Sequence, residues 1–307
     1  MRVFLTGGSG FLGSHVAAEL VRRDHGVICL CRNGSRPARL DAVRDAITLE
    51  PGDLHRRDQI DAALAKHKPD ALCHLAWHGV FNVERNDPRQ HDNAAAAGTL
   101  ASSALAFGVR TIVATGSQAE YGPLNGPARE SDALRPTTAY GRAKCEARRT
   151  LLELCADAGV RFAWLRVFSL YGPMDNDGWL IPSLIQALLD KRALSLTAGE
   201  QIWDFLYVAD AARAIADVLE TPTAAGDFNL GSGLPVPLRH VIEAVRDLID
   251  PGAMLGFGEI PYRPDQVMHL EADVDRLRHA VGWRPTTNLA DGLAQTVAWY
   301  RRNYGCK

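Results

Sequence analysis

The chain has 307 residues, 47% hydrophobic and 23% charged, the balance of a soluble globular enzyme of one or two domains. A formal net charge of −2 provides no basic footprint for nucleic acid and no polybasic patch for a membrane surface. No apolar run approaches the ~20 residues that span a bilayer, and the chain opens on a strand pattern rather than a leader segment, which points to the cytoplasm.

The first strand pattern covers residues 2–6 and the first amphipathic helix pattern residues 11–23. Between them lies Thr6-Gly7-Gly8-Ser9-Gly10-Phe11-Leu12-Gly13. Gly8, Gly10 and Gly13 fit the G-x-G-x-x-G spacing, in which glycines allow a tight turn, close approach of backbone to phosphate and close helix-on-strand packing. The helix that follows presents unpaired N–H groups and a positive dipole end, which suit a pyrophosphate. Strand patterns at 26–31, 46–50, 70–75, 110–115 and 161–167 alternate with helix patterns at 56–66, 90–107 and 139–158. Such alternation predicts βαβ units and a parallel sheet covered on both faces. Several strands end in polar or glycine-containing turns, at Gly52-Asp53, Ala76-Trp77-His78-Gly79 and Gly116-Ser117, where open α/β sheets bind ligands. Beyond residue 172 Pro and Gly become frequent and the pattern loosens. We therefore expect a dinucleotide-binding domain over 1–172 with a return near 206–230, and a smaller substrate domain over 173–205 and 231–307. The last helix, 289–303, places Leu289, Leu293, Val297 and Tyr300 on one face and should dock.

Tyr140-Gly141-Arg142-Ala143-Lys144 sets a tyrosine and a lysine four apart, on one face of a helix. A tyrosine titrates near pH 10, too high for proton transfer at neutral pH, and an adjacent ammonium, joined by an oxidised nicotinamide ring, is expected to lower that value. Ser117, at the end of a predicted strand, could hydrogen-bond a carbonyl oxygen while Tyr140 handles the proton. The six cysteines form no C-x-x-C pair and read as small buried hydrophobes in a reducing compartment. The ten histidines form no ligand cluster, so no metal is expected.

Together these segments bring the chain to a family. It resembles the extended short-chain dehydrogenase/reductases that act on nucleotide sugars. The resemblance runs in order through the Thr6–Gly13 turn, Gly52-Asp53-Leu54, His74-Leu75-Ala76, Ser117–Gly122, Tyr140–Lys144, Arg166–Pro173, Trp203–Asp210 and Val281–Pro285. It implies an α/β fold, a Rossmann-type doubly wound parallel sheet with a smaller C-terminal substrate domain. It implies Ser117, Tyr140 and Lys144 as the catalytic set. Cofactor contacts are expected from Gly7, Gly10, Phe11, Leu12 and Gly13, from Asp53 and Leu54 at the adenine, from Leu75, Ala76 and Trp77, and from Phe168 and Ser169 near the nicotinamide, with Tyr140 and Lys144 also touching it. The nucleotide sugar is expected against Trp77, His78, Ser117, Gln118, Trp179, Leu180, Trp203 and Arg263, and a homodimer through the helices at 90–107 and 139–158.

Departures from the family pattern carry the choice of reaction. Sugar dehydratases place an Asp-Glu pair directly after the catalytic hydroxyl and decarboxylases keep the Glu; here the positions are Gln118 and Ala119. Ala119 cannot transfer a proton, which disfavours both reactions, and Glu120, one place later, reads as structural. NAD-dependent members usually end the second strand with an acidic residue for the ribose hydroxyls. Here Cys31 is followed by Arg32-Asn33-Gly34-Ser35-Arg36, and Arg32 and Arg36 could pair with a 2′-phosphate. Trp203 stands where many members carry a diphosphate-binding Arg. The leading expectation is thus a NADPH-dependent 4-ketoreductase of a nucleotide-linked 4-keto-6-deoxyhexose. The alternative is a nucleotide-sugar 4-epimerase holding NAD tightly, and a non-catalytic cofactor sensor comes third, disfavoured by the intact Ser117, Tyr140 and Lys144.

Overall fold

The computed structural model describes residues 1–34, 37–263 and 266–304. Its strands are β1 (Arg2–Thr6), β2 (Gly26–Cys31), β3 (Ile47–Pro51), β4 (Ala71–His74), β5 (Thr111–Ser117), β6 (Arg161–Val167), β7 (Ser169–Tyr171), β8 (Ser195–Leu196), β9 (Ile202–Trp203), β10 (Phe205–Tyr207), β11 (Gly226–Leu230), β12 (Val236–Pro237), β13 (Gly256–Phe257) and β14 (His269–Leu270). Its helices are α1 (Phe11–Arg22), α2 (Arg57–His67), α3 (Gln90–Ala106), α4 (Ala139–Asp157), α5 (Leu180–Leu189), α6 (Val208–Glu220), α7 (Leu238–Ile249), α8 (Asp275–Val281) and α9 (Leu289–Asn303).

Seven strands form one parallel sheet in the order β11-β6-β5-β4-β1-β2-β3. The chain winds outward from β1 in one direction through β2 and β3, then in the other through β4, β5 and β6. The gap between β1 and β4 is the switch point, where a crevice opens at the strands' carboxyl ends. Alternate side chains serve opposite faces. Val3, Leu5, Val27, Cys29, Cys73, Val113 and Leu165 pack under α1 and α6, whereas Phe4, Ile28, Leu72, Ile112, Ala114, Phe162 and Trp164 pack under α2, α3 and α4. Both faces being dry, the strands read as nearly continuous apolar runs. Burial pushes the Cys29 thiol up to about 12, so it behaves as a hydrophobe rather than a nucleophile.

The second half contains more helix than its Pro and Gly content predicts. Pro182 lies in the first turn of α5 and Pro237 is the N-cap of α7, positions where a missing N–H costs nothing. Leu238, Val241, Ile242 and Val245 of α7 meet Ile181, Leu184 and Ile185 of α5 and Leu293, Val297 and Tyr300 of α9 in a separate apolar cluster. Asp210, 1% exposed at the start of α6, accepts from Thr286 Oγ1 at 2.9 Å and from Thr287 N at 2.9 Å, while Trp283 Nε1 donates to its carbonyl at 3.0 Å. These bonds tie the segment after α8 to the first turn of α6. No helix among the described residues is long and apolar enough to cross a membrane.

Candidate active site

The turn from β1 into α1 has the form a dinucleotide requires. Gly7 lies at φ +76°, and a Cβ there would sit 2.6 Å from Ala76 N and 2.8 Å from Leu75 C. A Cβ on Gly13 would collide with the Gly7 carbonyl. Gly10 N–H donates to Gly7 O at 2.9 Å, and Gly10 caps α1 with no side-chain hydrogen bond and no acidic residue in the first turn. An uncapped helix start beside backbone that tolerates no side chain fits a pyrophosphate. At the ends of β2 and β3 the fit continues. Asp53 Oδ1 accepts His55 N–H at 2.9 Å, and beside it Leu54, His55, Asp92, Ala95, Ala96 and Thr99 line an open cavity of about 230 Å³. Arg32 is exposed just past β2, whereas Arg36 lies outside the described residues.

Ser117 is the last residue of β5, and Tyr140 and Lys144 occupy the first turns of α4, whose start is held by Thr138 Oγ1 accepting Gly141 N–H at 3.1 Å. The three side chains are buried together, with Ser117 close enough to Tyr140 to favour its ionised form, while Ser117 Oγ accepts Ala119 N–H at 3.2 Å. Lys144 Nζ donates to Thr115 O at 2.8 Å and sits 3.7 Å from the centroid of the Trp77 ring. Trp77 in turn meets Tyr140 edge-on at 6.0 Å and donates its Nε1–H to Gln90 Oε1 at 2.7 Å. An ammonium over an indole face is a favourable cation–π arrangement.

The protein's own groups do not lower the tyrosine. Burial raises the Tyr140 phenol above its usual value, opposed by the Ser117 hydrogen bond and the Arg85 charge and reinforced by Glu120. The lysine is the group drawn towards neutral pH: burial depresses Lys144 to about 7 against the raising effect of Glu120, and below that value it carries its positive charge. The low-dielectric setting outweighs the pairing that helical spacing alone suggests.

Other predicted residues divide. Phe168 is buried against Tyr121 and Ser169 opens β7, both just past the end of β6. Trp179 is the N-cap of α5, ahead of Leu180, and stacks on Phe81 at 5.4 Å with the rings 24° apart. This pair spans from the loop after β4 to the second half of the chain. Trp203 is committed to packing: its Nε1–H donates to Val267 O at 2.9 Å and its ring leans on Phe205. His78 is exposed, its main chain held by Asn93, and Arg263 is exposed at the edge of the described residues. Gln118 lies half-buried in the short helical turn 118–120 after β5.

Sequence reasoning did not find Arg85, Gln90 or the cation–π role of Trp77. The Arg85 guanidinium lies 5.8 Å from the Tyr140 ring centroid and its carbonyl accepts Tyr140 N–H at 2.8 Å. Trp77 and Arg85 sit in the stretch between β4 and α3, and Gln90 opens α3; no local pattern announces the path of that stretch, and the half-apolar run Trp77–Phe81 after a strand was the available signal.

Known proteins share this arrangement to differing degrees. The chain is 28% identical to a UDP-glucose 4-epimerase of Azospirillum brasilense, covering 98% of this chain and 92% of that one. A UDP-N-acetylglucosamine 4-epimerase from Methanobrevibacter ruminantium M1, solved with UDP-N-acetylmuramic acid, superposes with a TM-score of 0.90 at 25% identity over 98% of both chains. The dTDP-glucose 4,6-dehydratase DesIV of Streptomyces venezuelae, solved as a double mutant with NAD, gives 0.87 at 25% identity over 100% of this chain and 98% of that one. The family described as NAD dependent epimerase/dehydratase matches residues 3–231. With its parallel sheet, glycine cradle and Ser117-Tyr140-Lys144 cluster, the chain belongs to the NAD dependent epimerase/dehydratase family, enzymes of the extended short-chain dehydrogenase/reductase type.

Proposed function

We propose that the protein is a nucleotide-sugar 4-epimerase that works with a retained NAD. The observation that carries this reading is the composition of the turn after β5: Ser117 stands beside Tyr140, while the next two positions, Gln118 and Ala119, bring no carboxyl group. The site can move one proton at one oxygen, and it lacks the further acid and base that water loss or decarboxylation would use. Sequence reasoning placed reduction of a 4-keto sugar ahead of epimerisation; the activities named for the relatives support the reverse order.

Bound at the β1–α1 turn, NAD supplies reversible hydride exchange with the sugar C4. The protein's own part is proton handling and orientation. The Ser117 hydroxyl donates a hydrogen bond to O4, and the Tyr140 oxygen, ionised where the positive charges of Lys144 and a bound nicotinamide would offset its burial, takes the O4 proton as the carbonyl forms, then returns it to the other epimer. Lys144, held between Thr115 O and the Trp77 face, supplies positive charge that steadies the Tyr140 phenolate. The 4-keto sugar must present its other face between the two half-reactions.

The test is incubation with UDP-glucose and catalytic NAD. Appearance of UDP-galactose with no build-up of reduced cofactor supports epimerisation; consumption of NADPH with a 4-keto-6-deoxyhexose nucleotide, and no epimer, supports reduction. One observation favours that second reading: β2 ends at Cys31-Arg32 with no carboxylate for the ribose hydroxyls. It requires NADP to bind more tightly than NAD and Arg32→Ala to remove the difference, a loss of about ten-fold for one charged hydrogen bond.

A further inference from the structure

Beneath Ser117 runs a buried chain of charges that the proton chemistry above does not use. Glu120 is fully buried; Oε1 accepts Ser117 N–H at 2.8 Å and Trp164 Nε1–H at 3.0 Å, and Oε2 accepts Arg166 Nε–H at 2.7 Å. Arg166, 1% exposed, also donates to the Tyr121 hydroxyl at 3.2 Å and to Asp227 Oδ2 at 3.0 Å. Asp227 is gripped by Arg148 at 2.7 Å, one turn along α4 from Lys144. Two carboxylates and two guanidiniums thus alternate from the main chain of Ser117 to the helix that carries Tyr140 and Lys144.

Room is made for this chain. A Cβ on Gly116 would collide with Glu120 Oε1 and Trp164 Nε1, and β5–β6 pairing sets Gly116 opposite Arg166. Burying four charges brings little net stability, since a well-packed apolar cluster serves as well. Location is the informative feature. Both ends of the chain grip the reacting group's supports.

We infer that Glu120 is a positioning residue: it fixes the Ser117 hydroxyl beside Tyr140 through the Ser117 N–H, and its carboxylate faces Lys144 across the Trp164 ring, which donates to Glu120 and lies 5.9 Å from the Lys144 ammonium. The inference rests on the proton-transfer reading of those residues. The groups facing the pair are Arg85 over the Tyr140 ring, the Trp77 and Trp164 rings, the Thr115 carbonyl, and His74, which burial and the Lys144 charge hold neutral. Behind Glu120 stands Arg166, itself shared with Asp227. Burial raises the Glu120 carboxyl while the Arg166 charge and the hydrogen bonds from Arg166, Ser117 and Trp164 oppose that rise, and in its charged form Glu120 raises both Tyr140 and Lys144. In Glu120→Gln the charge of Arg166 remains and its nearer partner is gone, so both groups should release their protons at lower pH.

The direct test needs no turnover. Phenolate absorbance is titrated in the NAD-loaded protein and in Glu120→Gln, each with its Tyr140→Phe counterpart subtracted. The Tyr140 ionisation should move down by about one pH unit; titrations that superimpose overturn the inference. Glu120→Asp keeps the charge and draws the carboxylate away from Ser117 N–H. It should leave the Tyr140 titration in place and lower kcat on UDP-glucose at least ten-fold, and wild-type kcat would contradict the positioning role. If Glu120→Gln fails to hold NAD or to melt cooperatively, the Glu120→Asp pair of results decides. Failure of the epimerase reading would instead appear as a wild-type protein inactive on UDP-glucose, with the titration result standing.

Discussion

Replacing Gly7 by alanine probes the cradle at its narrowest point. The new Cβ would lie 2.6 Å from Ala76 N, 2.8 Å from Leu75 C and 2.9 Å from Ala76 Cα. All three are backbone atoms, so no side chain can swing aside. Ordinary contact begins near 3.4 Å, and the end of β4 would have to retreat by 0.8 Å (3.4 less 2.6) from the β1–α1 turn. Forced overpacking of this kind costs about 1–3 kcal/mol, and holding alanine at φ +76° adds about 1–2 kcal/mol. Gly7→Ala should therefore lose about 2–5 kcal/mol of unfolding free energy in urea, and weaken NAD by more than ten-fold in calorimetry because the retreat opens the crevice at the switch point. Gly126→Ala is the control: no atom lies within 4 Å of its Cβ, and both quantities should stay at wild-type values. A Gly7→Ala protein that binds NAD as tightly as wild type would refute the placement of the cofactor.

Tyr140→Phe should retain NAD and lower kcat by about 10²–10⁴, the usual contribution of a positioned acid–base group; turnover near wild type would move the proton role elsewhere. His74 titrates at 6.5 in a free chain and is pushed to about 3 here, first by burial and then by the Lys144 charge. Between those values the unfolded chain binds a proton that the folded chain refuses, so stability should fall as pH drops from about 6.5 towards 3. His74→Gln should flatten that dependence in urea unfolding series run across the window, and an unchanged slope would contradict it.

The sheet was legible because a doubly covered parallel sheet writes itself as apolar runs of strand length, and β1, β2 and β6 fall where the runs do. The 3₁₀ segment Ala38–Ala46 was not: of its nine residues Leu40 alone is buried, so it has no apolar period to read. Helices α5 and α7 were hidden by Pro182 and Pro237, which act as breakers inside a helix and as starters at its first turn. Tyr140 and Lys144 were legible from helical spacing, and Ser117 from its place at a strand end. Glu120 reads as structural in the sequence, but its partners Trp164 and Arg166 are some 44 and 46 residues on and meet it through β5–β6 register. Trp77 was expected at the ligand and is found under the Lys144 ammonium, a contact that depends on the stretch between β4 and α3 folding back onto α4. Local pattern reports the elements; the contacts between distant elements, which set the charges of the site, need the assembled fold.

The central claim is that hydride leaves C4 of a sugar and returns to the same C4 without entering solution. UDP-glucose carrying deuterium at C4 tests it most directly, with the protein supplied an excess of free unlabelled NAD and the product examined by mass spectrometry. UDP-galactose should keep the deuterium at C4, with none in the free cofactor. Deuterium appearing in the free reduced cofactor, or a 4-keto sugar released with its label lost, would contradict it.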